Sequence, residues 1–141
     1  SVRAAERANT RRTVEELVHT KSPDAPALLT VEPTTAIRMA LSTITTHDVS
    51  QLPVVRGGEC VGSVTEAELM SRVIEEPAVL DAPVEALMGA PFPVVDAGAD
   101  ADEVAGMLTG RNAACLVRES GELTGIVTRY DVVRTLTGAV R

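Results

Sequence analysis

Gly125-Ile126-Val127-Thr128-Arg129-Tyr130-Asp131 repeats, 63 positions earlier, as Gly62-Ser63-Val64-Thr65-Glu66-Ala67-Glu68. An internal repeat is a statement about architecture, so it is followed outward first. At the same offset Leu52-Pro53-Val54-Val55 matches Cys115-Leu116-Val117-Arg118, and Gly58-Glu59 matches Gly121-Glu122. Each copy reads as strand, tight turn, strand. Upstream, Ala36, Ile37, Ala40, Leu41 and Ile44 predict one apolar helix face. Ala101, Val104, Ala105 and Leu108 predict the same in the second copy, with one residue fewer before the next strand. Brief strands are expected near Thr30-Val31 and Val94-Val95, closing helices over about 66–75 and 129–136, and short leading helices at Val14–Val18 and Val84–Met88. The fold class is therefore α/β (α+β): two βαββα repeats, each with a leading helix. Residues 1–12, with four arginines and few large apolar residues, predict an exposed lead-in or linker helix; the repeats occupy 13–78 and 79–141. Prolines mark 21–26 as a loop.

Composition narrows the function. The chain of 141 residues holds no Trp, one Tyr, one Phe and a formal charge of −7. A polyanion is repelled overall, and no aromatic platform exists on which bases stack, so nucleic acid is not an expected partner. Each half, at roughly 60 residues, is marginal alone. Cys60 and Cys115 sit in apolar, strand-like runs and read as small buried hydrophobes of a reducing compartment. The sequence contains no recognisable leader and no apolar run of membrane-spanning length, so a cytoplasmic protein and no membrane partner are expected.

The phrase ending each copy carries chemistry. A strand entering a helix at Thr128 aims unpaired backbone N–H groups and the positive helix end at one spot, which suits a phosphate or carboxylate. Thr128 adds a hydroxyl and Arg129 a cation; Asp131, one turn in, offers only acceptors and can take both hydroxyls of a ribose. Gly125 allows close backbone approach. Thr128-x-x-Asp131 also reads as a helix cap, and the two readings are compatible. In the first copy Glu68 replaces the aspartate, and Thr65-Glu66-Ala67-Glu68 has the form of a full capping box, so one strong site per chain is expected.

Gly-h-h-Thr-x-x-Asp after a strand, with Leu52-Pro53-Val54-Val55 before it, resembles the signature of cystathionine-β-synthase-type (CBS) domains from Val14 to Gly138. The phrases 49–55, 61–64, 91–95 and 126–132 look like the C-terminal regulatory pair of bacterial cystathionine β-synthase-like, pyridoxal-phosphate-dependent enzymes. The resemblance implies two pseudo-symmetric repeats packed as one CBS pair. It implies an adenosyl ligand, S-adenosylmethionine or AMP/ATP, held by Thr128, Arg129, Tyr130 and Asp131 together with Val49, Ser50, Gln51 and Leu52, with Ala27 and Leu28 near the mouth. A weaker second site would use Thr65, Glu68, Asn112 and Ala113. It further implies a homodimer and a possible catalytic partner domain from a pyridoxal-phosphate enzyme. A structural dimerisation module without ligand is the competing class.

No catalytic constellation is present, so the chain is not expected to be an enzyme. His19 and His47 stand alone without metal-ligand spacing, no metal site or covalent cofactor is expected, and Lys21, the one lysine, lies in a proline-bounded loop. Met70, Met88 and Met107 fall at apolar helical spacing and read as core.

Overall fold

The computed structural model describes residues 13–14, 28–110 and 112–138. The expectations for residues 1–12, the helix at 15–18, His19, the loop 21–26 and Ala27 lie outside them. The described residues divide into two compact units: one of 29–92, the other of 93–138 with Thr13 and Val14.

In the first unit α1 (Ile37–His47) buries Ile37, Ala40 and Ile44, the face expected from the sequence. It stops at Asp48, whose left-handed φ of 53° turns its N–H back onto the carbonyls of Ile44 and Thr45. β1 (Gln51–Arg56) and β2 (Glu59–Thr65) pair antiparallel around Gly57 and Gly58, with φ of 58° and 80°. Two positive φ angles in a two-residue loop match the twist of the flanking strands. The strand expected near Thr30-Val31 is a single parallel bridge from Val31 to Val54. α2 (Glu66–Glu75) buries only Leu69. The leading helix expected at 84–88 is a 3₁₀ turn, Val84–Ala86, entered from Pro83.

The second unit repeats the plan. β3 (Val94–Asp96) runs parallel to β4 (Ala114–Glu119), which pairs antiparallel with β5 (Glu122–Thr128). α3 (Ala101–Met107) precedes the hairpin and α4 (Arg129–Leu136) closes it. The sheet register slips between Val117 and Arg118, as it does between Val54 and Val55, so even the bulge recurs at the 63-residue offset.

Equivalent residues fill both cores. Leu52, Val54 and Val64 join Ile37, Ala40, Ile44, Val31, Leu69 and Val84 in one. Cys115, Val117 and Val127 join Ala101, Val104, Leu108, Ala97 and Val14 in the other. The leading segments are exchanged relative to the sequence repeats: Val84, just before the second repeat, is fully buried in the first core, and Val14, just before the first, is fully buried in the second. Val14 N–H donates to Ala99 O at 2.9 Å, and Val84 N–H to Thr35 O at 2.8 Å. Met88 and Met107 pack against the cores, but Met70 is 49% exposed, contrary to the core reading, because α2 turns only Leu69 fully inward. Among the described residues no helix is long and apolar enough to cross a membrane.

Candidate functional site

β5 delivers Thr128 to the first position before α4, with its backbone still extended. The Asp131 N–H donates to Thr128 Oγ1 at 3.4 Å, and Thr128 N–H donates back to Asp131 Oδ2 at 2.8 Å. The Thr128 hydroxyl reaches the same oxygen at 3.1 Å. These bonds form a complete reciprocal capping box, so the cap anticipated as an alternative is present in the geometry. Asp131 is 3% exposed, the one buried charged residue among the described residues. Carboxylates are almost never fully buried unless paired. Here the partner is Arg134, whose Nη2 donates to Asp131 Oδ1 at 2.9 Å.

Sequence reasoning missed Arg134. Its signal was a cation one turn beyond Asp131, on the same helix face, where the first repeat has Ser71. Its side chain is 19% exposed and its Nε is buried with no protein acceptor. Tyr130, 71% exposed, lays its ring over the Arg134 guanidinium at 5.3 Å.

Arg129 faces elsewhere. Its Nε donates to Leu108 O at 2.6 Å, and its Nη2 to Gly110 O at 2.6 Å and Asn112 O at 3.2 Å. The guanidinium thereby satisfies carbonyls left over where α3 ends and braces the connection to β4. Asn112, half-buried, adds a bond from its side-chain amide to Met107 O at 3.1 Å, and Ala113 follows it into β4. Arg129, Asn112, Thr128 and Asp131 are thus gathered at one end of this unit's hairpin.

The first unit gathers the equivalent group. Glu68 N–H donates to Thr65 Oγ1 at 3.2 Å, and the Thr65 hydroxyl donates to Glu68 Oε1 at 2.7 Å. The Glu68 carboxylate takes the hydroxyl rather than the backbone N–H, so the full box expected here is only half made, because the longer side chain overshoots the backbone donor. Ser50 O accepts from Glu66 N–H at 2.9 Å, Gln51 pairs with Thr65 across the hairpin, and Ser50 Oγ donates to Gln51 Oε1 at 3.1 Å. Val49 and Leu28 are half-buried, and Leu52 is core. An open concavity of about 350 Å³ lies along α2, lined by Ala67, Glu68, Ser71, Arg72 and Leu87. At Gly62 an added Cβ would stand 2.8 Å from Met88 Cγ and 3.1 Å from Gly89 O, so that glycine is required by the chain's own packing.

The remaining candidates are inert. Cys115 is fully buried, and burial pushes its thiol up from 9.0 to about 11, away from the nucleophilic thiolate. Cys60 Sγ donates to Gly62 O at 3.3 Å. His47, exposed, uses Nδ1 on Thr43 O at 3.1 Å. Among the described residues no cluster of potential metal ligands occurs.

The repeated strand–turn–strand–helix, ending each time in a Thr-capped helix, is the plan of the CBS domain. The CBS-domain family matches residues 14–75 and 84–138, and the chain belongs to it as a tandem pair. The chain is 29% identical over 127 residues to the uncharacterised protein MJ1225 of Methanocaldococcus jannaschii, covering 77% of this chain and 45% of that protein. It therefore spans about half of that relative's length. Among solved structures, the CBS-domain protein ATU1752 of Agrobacterium tumefaciens superposes with TM-score 0.73 at 27% identity, over 89% of this chain and 99% of that one. The CBS pair of MJ0100, determined in complex with 5′-methylthioadenosine and S-adenosyl-L-methionine, shares the fold with TM-score 0.73 at 20% identity, over 92% and 98%.

Proposed function

We propose that the chain is a regulatory module that binds an adenosyl ligand at the start of α4 and transmits occupancy to a partner. The observation that carries this is Asp131: a charged carboxylate, 3% exposed, fixed at a helix N-terminus in a repeat whose other copy lacks it. Buried, tightly held ionisable groups concentrate at functional sites. In this reading Thr128 and Asp131 take the ribose, Val49 and Leu52 flank the base, and Ser50 and Gln51 meet its edge, with Ala27 and Leu28 at the mouth. The ligand bound by MJ0100 supports the adenosyl class.

The commitment of Arg129 to three carbonyls removes the local reason for preferring a phosphate, which favours S-adenosylmethionine over AMP or ATP. The likeness of 126–132 to cystathionine β-synthase-like enzymes makes a pyridoxal-phosphate catalytic domain the partner of choice. Regulation requires that the ligand bind one arrangement of the module better than another. A homodimer belongs to the same proposal, supported by the apolar side chains that α4 leaves exposed: Tyr130, Val133 and Leu136.

Calorimetric titration with S-adenosylmethionine, AMP and ATP tests the reading. One ligand should bind once per chain, and Asp131→Ala should weaken it by about 2 to 4 kcal/mol, since hydrogen bonds to a charged group are each worth roughly 1.5 to 3 kcal/mol. Asp131→Asn preserves the cap while removing the charge, so it separates affinity from folding. Undiminished binding by both variants excludes the ribose role.

A further inference from the structure

We propose that Arg134 is a positioning residue that makes this site selective for ribose over deoxyribose, by locking the Asp131 carboxylate in one orientation beneath the Tyr130 ring. The inference rests on the adenosyl reading above and goes beyond it.

A carboxylate recognises two neighbouring hydroxyls only if its plane is held, because each hydroxyl must meet a lone pair at hydrogen-bond distance. Thr128 fixes one oxygen of Asp131, through its N–H at 2.8 Å and its hydroxyl at 3.1 Å. Rotation about the axis through that oxygen remains until the second oxygen is held. Arg134 Nη2 holds it at 2.9 Å. Among the described residues Asp131 is the acceptor that Arg134 finds, since the buried Nε has none. The guanidinium is in turn kept in place by the Tyr130 ring, 5.3 Å away. Tyr130, Asp131 and Arg134 therefore act as one unit on a single face of α4.

The first repeat supplies the internal comparison. Its equivalent positions are Ala67, Glu68 and Ser71, so all three members change together. Those same residues line the open concavity along α2. The absence of a site there follows from the loss of the whole assembly, of which the Asp-to-Glu difference is one part.

The test uses adenosine and 2′-deoxyadenosine, which carry the moiety common to all three proposed ligands. Dissociation constants are measured by calorimetry for the full chain and for Arg134→Gln, Arg134→Lys and Tyr130→Leu. The unaltered protein should prefer adenosine by about tenfold or more, the worth of one charge-assisted hydrogen bond. Arg134→Gln should bring that preference to near parity while leaving 2′-deoxyadenosine affinity within about threefold, and Arg134→Lys, which keeps a cation, should restore part of it. Tyr130→Leu should fall between.

A general loss of structure would weaken both nucleosides alike, so equal weakening or an unchanged ratio overturns the inference and leaves the adenosyl reading standing. Failure of the unaltered protein to bind either nucleoside overturns both. Should the Arg134 variants not fold, the reverse exchange decides: Ala67→Tyr with Glu68→Asp and Ser71→Arg should add a second, ribose-selective binding event. No gain from the triple exchange, or the full gain from Glu68→Asp alone, refutes the role of Arg134.

Discussion

Ser120 occupies a backbone position that glycine fills in the other repeat. Its φ is 52°, against 58° at Gly57, and each is followed by a glycine at φ of about 80°. Left-handed backbone is strained for most side chains but tolerated by Asn, whose short polar group bonds locally. Ser120→Asn should therefore raise stability by roughly 0.5 to 1 kcal/mol, read as a higher denaturation midpoint with an unchanged denaturant slope. A lower midpoint would show that the hairpin needs Ser120 for another reason.

The same scale separates the arginines. Arg129 and Arg134 are equal as letters, and the sequence pointed to Arg129 because it adjoins Thr128. In the structure Arg129 closes the end of α3 through three carbonyls, and Arg134 grips Asp131. Thr128 and Asp131 were legible because cap and acceptor chemistry depends on spacing three apart along one helix. The targets of a long flexible cation are carbonyls some twenty positions away, which spacing along the chain does not encode.

At the scale of elements, the helix faces and hairpins were readable from periodicity and turn residues. The closing helices span Glu66–Glu75 and Arg129–Leu136, as expected. Less readable were elements formed by single contacts, such as the lone bridge at Val31 and the 3₁₀ turn at Val84–Ala86.

Equivalent elements also differ in what they bury. Ile37, Ile44 and Leu52 in the first core correspond to Ala101, Leu108 and Cys115 in the second, with Ala40 against Val104. The second core thus has less apolar bulk, and losing an Ile or Leu side chain from a core costs about 2 to 5 kcal/mol. Amides of α3, β4 and β5 should accordingly exchange with solvent about tenfold or more faster than those of α1, β1 and β2, a gap on the order of 1.4 kcal/mol. Native-state hydrogen exchange reads this directly, and equal protection would mean that both units open only together.

For the whole molecule, the packing units do not follow the sequence repeats. Val14 completes the core built by 93–138, and Val84 completes the core built by 29–92. Neither repeat closes its core with its own leading segment, which gives a physical reason for the tandem arrangement. The proposed homodimer is tested at this scale. Light scattering at micromolar concentration should report twice the chain mass, and Val133→Glu should reduce it to the monomer mass without lowering the melting temperature, since Val133 is 56% exposed. A monomer in the unaltered chain would remove the dimer from the proposal.

The sequence by itself determined the two-fold repeat, the amphipathic faces, the hairpin turns and the Thr-x-x-Asp cap, because each is set by interactions among neighbours in the chain or by a period that local geometry imposes. Only the tertiary structure decided which leading segment fills which core, where the two arginines reach, and that the Glu68 cap is half made. Those outcomes depend on distances between atoms far apart in sequence, and small differences in side-chain length decide them once the backbone has folded.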